Sequence, residues 1–314
     1  MKLWIRAAGA ALAVCLLAAS CGREPSDSCG VGPANSCATH ISSAPSPKPL
    51  FFSLDDYPIV DGSTANLPLM ARVMKDSCGI SQEEAESLTE NSGTNPSWNR
   101  LANGQADLLL VYEAPEETKK KLEESGVQLE VTPVGRDALV FLVNSGNPVT
   151  GLTQDQLRSI YTGDTVNWEK LGGEDQEIFP FQRNPTSGSQ TLFLKLLMKE
   201  VQPMDAPEEL VSGAMGQLID SVASYDNSDG AIGYSVYYYA AMMYENPSLR
   251  LLSVDGVEPS HASIADGSYP LLNDFYLAIR AGEPEESPVR KLRDWILSDD
   301  GRRAFEEEGY VPIF

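Results

Sequence analysis

The chain has 314 residues, 42% hydrophobic and 22% charged, enough for a sizeable core and, from length alone, about two domains. Its formal net charge is −22. Residues 1–20 carry Lys2 and Arg6 and no acid, so the rest stands at −24, which argues against nucleic acid and polybasic membrane docking and makes any anion site a local feature.

Met1 to Cys21 reads as a targeting segment, with a basic start at Lys2 and Arg6 and an apolar run from Ala7 to Ala19. Leu17-Ala18-Ala19-Ser20-Cys21 resembles a bacterial lipobox, which implies cleavage before Cys21 and lipid on its sulfur; an ordinary secretory signal cut nearby is the alternative. No other apolar run approaches the ~20 residues that span a bilayer. The body is therefore expected outside the cytoplasm, tethered by its lipid. Residues 21–50, rich in Ser, Pro, Gly and Ala, read as a disordered tether. Cys29 and Cys37 flank a short loop that can close as a disulfide in an oxidising compartment, or stay free. Cys78 is left over. His40 and His261 are the only histidines and there is no Cys-x-x-Cys pair, so no metal or cofactor is expected.

From residue 51 onward, strand and helix patterns alternate, which predicts an α/β fold with largely parallel sheets. A strand at Tyr57–Val60 leads through Asp61-Gly62-Ser63-Thr64 into a helix with Leu67, Met70, Val73 and Met74 on one face. Ser92-Gly93-Thr94-Asn95 opens a second helix that buries Trp98 and Leu101. Strands follow at 106–111, 129–133 and 138–143, with a solvated helix over 119–124. Thr153 caps a helix reaching Ile160, and Asn167-Trp168 lies in the next loop. Helices are predicted at 215–223, 289–297 and 301–308, and strands at 230–234, 249–254 and 275–279. His261 falls in a long loop. The Tyr- and Met-rich run 234–244 reads as core packing.

The most informative stretch is Phe181 to Thr191, a strand-to-helix turn carrying Arg183, Ser187, Gly188 and Ser189. A helix N-terminus leaves backbone N–H groups unpaired and partially positive. Glycine permits close backbone approach, and an arginine adds a fork suited to phosphate or carboxylate. Together they can hold an oxyanion without a metal. An ordinary capped turn with a surface arginine is the plain alternative. Because the turn is expected to line a cleft rather than a core, replacing Arg183 should spare the fold. Three Gly-plus-hydroxyl turns that each open a helix can converge on one tetrahedral ion at the carboxyl ends of strands.

The motif Arg183-x-x-x-Ser187-Gly188-Ser189 resembles that of the phosphate-binding proteins of bacterial phosphate ABC transporters. Supporting likenesses are Asp61-Gly62-Ser63-Thr64, Tyr161-Thr162-Gly163 with Asn167-Trp168 and Leu171-Gly172-Gly173, Gly230-Ala231-Ile232-Gly233-Tyr234, and Gly309-Tyr310-Val311-Pro312. The resemblance covers about residues 57–314. It implies a two-lobed periplasmic-binding-protein-like fold of type II, each lobe a mainly parallel sheet flanked by helices, with the ligand in the cleft between lobes. Lobe I would span 51–140 and 246–314, and lobe II 141–245. Carried over, Arg183, Ser187, Gly188 and Ser189 bind from lobe II. Ser63 and Thr64 bind from lobe I, with the second hydroxyl loop near Thr94 and Asn95. One position departs: where the family often has an aspartate that accepts the phosphate proton, this chain has Tyr112-Glu113, and Glu113 has a different reach.

The implied function is capture of inorganic phosphate by a monomeric, lipid-anchored protein and delivery to an ABC permease, without bond chemistry. Another oxyanion, a phosphorylated ligand or a sensing role on the same fold is the second reading. A serine hydrolase using Ser187 or Ser189 is the third; it lacks Gly-x-Ser-x-Gly and has only His261 or His40 as a base.

Overall fold

The computed structural model describes residues 52–224 and 228–314. Cys21, Cys29 and Cys37 lie outside the described residues. The first unit runs β1 (Val60–Gly62), α1 (Leu67–Cys78), α2 (Gln82–Leu88), α3 (Thr94–Ala102), β2 (Leu108–Tyr112), α4 (Glu116–Ser125) and β3 (Leu129–Asn144). Next come β4 (Gly151–Leu152), α5 (Gln154–Tyr161), β5 (Phe179–Pro180), β6 (Gln182–Arg183), α6 (Gly188–Leu192), β7 (Val211–Ser212), α7 (Met215–Ser224) and β8 (Ala231–Val236). The chain ends through β9 (Leu249–Leu251), β10 (Ser253–Val254), α8 (His261–Ala265), β11 (Leu272–Arg280), α9 (Pro288–Ile296), α10 (Asp299–Glu307) and β12 (Val311–Pro312).

The main sheet is ordered β1-β2-β11-β3-β8-β5, with β9 and β12 also pairing β3. It is mixed, not mainly parallel. β1–β2 and β5–β8 are parallel, because helices carry the chain back between those strands. β11 enters late and runs antiparallel to both β2 and β3, and β8 is antiparallel to β3. Alternation of strand and helix signals along the chain says nothing about where a late strand will insert.

The strands expected at 129–133 and 138–143 are one strand, β3. Its Pro133 faces a register shift between Phe275 and Tyr276, where a missing N–H is tolerated. Up to Ala138 this strand pairs with β11, and from Leu139 it pairs with β8. The switch divides the sheet into two halves. Buried Asp137 sits at that point, accepting from the Tyr112 hydroxyl at 2.6 Å, Ala138 N at 2.7 Å and Tyr238 N at 3.2 Å. Burial raises its carboxyl pKa to about 6, with those hydrogen bonds opposing.

Most expected helices form where their apolar stripes put them. Thr153 and Gln156 build a capping box on α5, and Trp98 and Leu101 of α3 are buried. His261 opens α8 instead of lying in a loop; its cap is a Ser260–Ser263 box, whose Ser at the third position lacks the usual Glu/Gln signature. Most of the tyrosine run packs inward at Tyr234, Tyr238 and Tyr239, while Met242 is exposed. Cys78 is a buried free thiol. No described helix is long and apolar enough to cross a membrane.

Candidate functional site: a buried arginine among hydroxyl turns

Arg183 is placed by β6, not by a turn as expected. β6 pairs with β7, which locks the backbone, and Arg183 as a whole is 7% exposed. Nε donates to Ser212 O at 3.1 Å, Nη1 to Ser189 Oγ at 3.3 Å and Nη2 to Gly213 O at 3.2 Å. All three acceptors are neutral. A guanidinium carries five N–H groups, so one on each Nη has no acceptor among the described residues. Its ion pairs with Asp or Glu there number none. Burial pushes the Arg183 pKa down and the phenols of Tyr234 and Tyr239 oppose this, yet a guanidinium stays charged in proteins. A buried cation without a counter-ion is costly unless an anion joins it.

The turn beside it opens a helix, as the sequence reading expected. Ser187 is the N-cap of α6 and accepts from Gln190 N. Its Oγ lies 3.4 Å from Ser189 Oγ. The helix continues as a π-helical turn over Phe193–Met198.

From the other half of the sheet come Ser63 and Thr94. Ser63 follows β1, and its Oγ accepts from Tyr112 N at 3.0 Å and shares a hydrogen bond with Thr94 Oγ1 at 2.8 Å. Gly62 is required before it: a Cβ there would stand 1.9 Å from Leu110 O. Thr94 begins α3 and is 8% exposed. The two groups touch at Gly188, where an added Cβ would lie 2.4 Å from Thr94 Oγ1. Six expected residues thus form one linked set: Ser63, Thr94, Arg183, Ser187, Gly188 and Ser189.

The other three point elsewhere. Thr64 Oγ1 accepts from Asn91 Nδ2 at 3.2 Å. Asn95 accepts from the Thr118 hydroxyl and lines a groove of about 590 Å³ with Pro185, Thr186 and Thr191. Glu113 bridges Lys119, at 2.6 Å, and Lys195. Burial pushes its carboxyl pKa up, but the two ammonium groups more than reverse this and hold it below the usual range. Ser187 and Ser189 hydrogen-bond to each other, Gln190 and Arg183, while His261 belongs to α8 beside a small cavity with Asp137 and Tyr238.

Sequence reasoning missed the groups that hold Arg183. Ser212 and Gly213 supply carbonyls. Gln190 Oε1 accepts from Arg183 N at 3.1 Å, and the Tyr234 hydroxyl lies 3.0 Å from the same N–H. Ser212-Gly213 before α7 was a legible signal, another Gly-hydroxyl pair ahead of a helix. The remaining motifs brace the site. Trp168 Nε1 donates to Gly230 O at 3.0 Å, and the Tyr310 hydroxyl donates to Ala65 O at 2.7 Å, pinning the start of α1.

A family model described as a PBP superfamily domain matches residues 55–300: the chain belongs to the PBP superfamily and has its two-lobed α/β architecture. Within it the chain is PstS-like. The phosphate-binding protein PstS of Bacillus subtilis is 27% identical over 195 residues, 61% of this chain and 61% of that protein. Thus the match spans under two thirds of the Bacillus protein. PstS of Staphylococcus haemolyticus is 23% identical over 256 residues, 80% of this chain and 79% of that one. Among solved structures, a candidate phosphate ABC transporter substrate-binding protein of Clostridium perfringens with bound phosphate superposes with a TM-score of 0.64 at 22% identity, covering 81% of this chain and 98% of that one. An ABC-type phosphate transport receptor of Vibrio cholerae gives 0.59 at 22% identity, covering 80% and 98%. At these identities the structures speak to fold alone.

Proposed function

We propose that the protein is an extracytoplasmic solute-binding lipoprotein that holds inorganic phosphate between the two halves of its sheet and hands it to an ABC permease. The observation carrying this reading is Arg183: a buried guanidinium with only neutral acceptors and no carboxylate partner among the described residues, beside the hydroxyls of Ser187, Ser189, Ser63 and Thr94. An oxyanion supplies the missing charge and takes the two free N–H groups. Its other oxygens take donors from the hydroxyls and from the α6 N-terminus. The names of the relatives support phosphate as the ion.

In this reading, lobe I comprises 51–140 and 246–314 and lobe II 141–245. The lobes close over the ion and exclude water, which strengthens each charged hydrogen bond. The protein works as a monomer without cofactor or bond chemistry, and Cys21 carries the lipid. Isothermal titration of phosphate into the mature protein tests the reading. Saturable one-to-one binding lost in Arg183→Ala supports it; no heat of binding in the wild type overturns it.

A further inference from the structure

Charge crosses the seam between the lobes proposed above at one place. Glu113 follows β2 in lobe I, and Lys195 lies on the π-helical turn that continues α6 in lobe II. One Glu113 oxygen accepts from Lys119 Nζ at 2.6 Å and the other from Lys195 Nζ. Every other ion pair among the described residues joins two residues of one lobe. Lys195 also lines the groove of about 590 Å³ that Asn95 and Pro115 of lobe I share with Thr191 and Leu194 of lobe II. The seam at this point is therefore open space spanned by a salt bridge, not dry packing.

Both ends of the bridge are tied to the oxyanion site by short runs of chain. Tyr112, the residue before Glu113, donates its N–H to Ser63 Oγ at 3.0 Å. Lys195 rides on the helical segment that begins at Gly188 and Ser189. The second lysine decides what opening costs. If the lobes part, Glu113 loses Lys195 but keeps Lys119, which belongs to its own lobe. Its carboxylate, 17% exposed, is then not left buried without a counter-ion, the expensive outcome of breaking an internal pair. The Lys195 side chain, 53% exposed, simply returns to water. Opening gives up one screened pair of the surface kind.

We infer, resting on the two-lobed phosphate reading above, that Glu113 and Lys195 form a releasable latch across the seam: the pair closes with the lobes and sets how long the ion stays, while Lys119 holds the carboxylate in place whether the lobes are open or closed. The pair forms after the ion has been met, so its loss acts on release and hardly on association. Because the pair is partly exposed, salt weakens it.

The test is a rapid-filtration chase of radiolabelled phosphate from the mature protein at low and high salt. Lys195→Met should release phosphate about two- to fivefold faster than wild type, the range an exposed pair supplies. Added salt should speed release from the wild type and not from Lys195→Met. Lys119→Met takes an equal charge from the same carboxylate within one lobe and should not speed release. In a Glu113→Gln background, Lys195→Met should add nothing. Release from Lys195→Met at the wild-type rate overturns the latch and leaves phosphate binding standing. Equal acceleration by Lys119→Met also overturns it, because the charge at Glu113 and not the joining of the lobes would then matter. A wild type that binds no phosphate defeats the parent reading instead. Small-angle scattering of the ligand-free proteins then decides the latch: it stands if Lys195→Met has the larger radius of gyration and falls if the two are equal.

Discussion

Replacing Gly188 by alanine separates ligand capture from folding. The new methyl would lie 2.4 Å from Thr94 Oγ1, 3.1 Å from its Cβ and 3.3 Å from its Cγ2. Thr94 has little freedom to yield: it is buried, β-branched and held by Ser63 at 2.8 Å. The two halves of the sheet must then separate slightly, or Thr94 must leave its position. Overpacking of this kind costs about 1–3 kcal/mol, which is about 5- to 150-fold in phosphate affinity. The isolated halves should not suffer. Gly188 does not have a positive φ, so alanine meets no backbone strain there. The expected result is weaker binding by calorimetry with a nearly unchanged melting temperature. In a Thr94→Ala background the 2.4 Å contact is gone, so Gly188→Ala should cost less there, a non-additive cycle. Affinity within twofold of wild type in Gly188→Ala, or strict additivity, refutes the closed contact between Thr94 and Gly188 as part of the binding state.

Arg183→Ala should weaken phosphate binding on the order of a thousandfold, since about two charged hydrogen bonds of 1.5–3 kcal/mol each are lost; Arg183→Lys should recover part of this by calorimetry. The same change takes one donor from the Ser212 and Gly213 carbonyls, which still accept from Asn184 N at 3.4 Å and Asn184 Nδ2 at 3.0 Å, so denaturant unfolding should show a loss of no more than about 1 kcal/mol. Asp137 has a folded pKa raised to about 6 from 3.8. The folded state therefore holds its proton more tightly, and this contribution to stability is full below pH 4 and fades as pH rises through 6. Asp137→Asn should flatten that fall in urea melts taken from pH 4 to 7, and an unaltered slope would contradict it. Cys21→Ser should release the protein from the membrane fraction, and mass spectrometry of the wild type should find an acylated residue 21.

Local chemistry was legible in the sequence. The cap at Thr153, the apolar stripes of α1, α3 and α9, and the Arg-x-x-x-Ser-Gly-Ser turn depend on neighbours within a few residues, so residue type and spacing suffice to read them. They also pointed to six residues of the linked set and to the fold class. Tertiary structure decided what depends on partners far along the chain. It inserted β11, residues 272–280, antiparallel between β2 and β3, which no local pattern announces. It turned Glu113 to lysines at 119 and 195, and set Thr64 and Asn95 to other duties. It brought Gly188 against Thr94 across 94 positions of sequence. Above all, it buried Arg183 among neutral carbonyls from residues 212 and 213. An arginine in a sequence is simply a charge, and whether a counter-ion answers it is settled by packing.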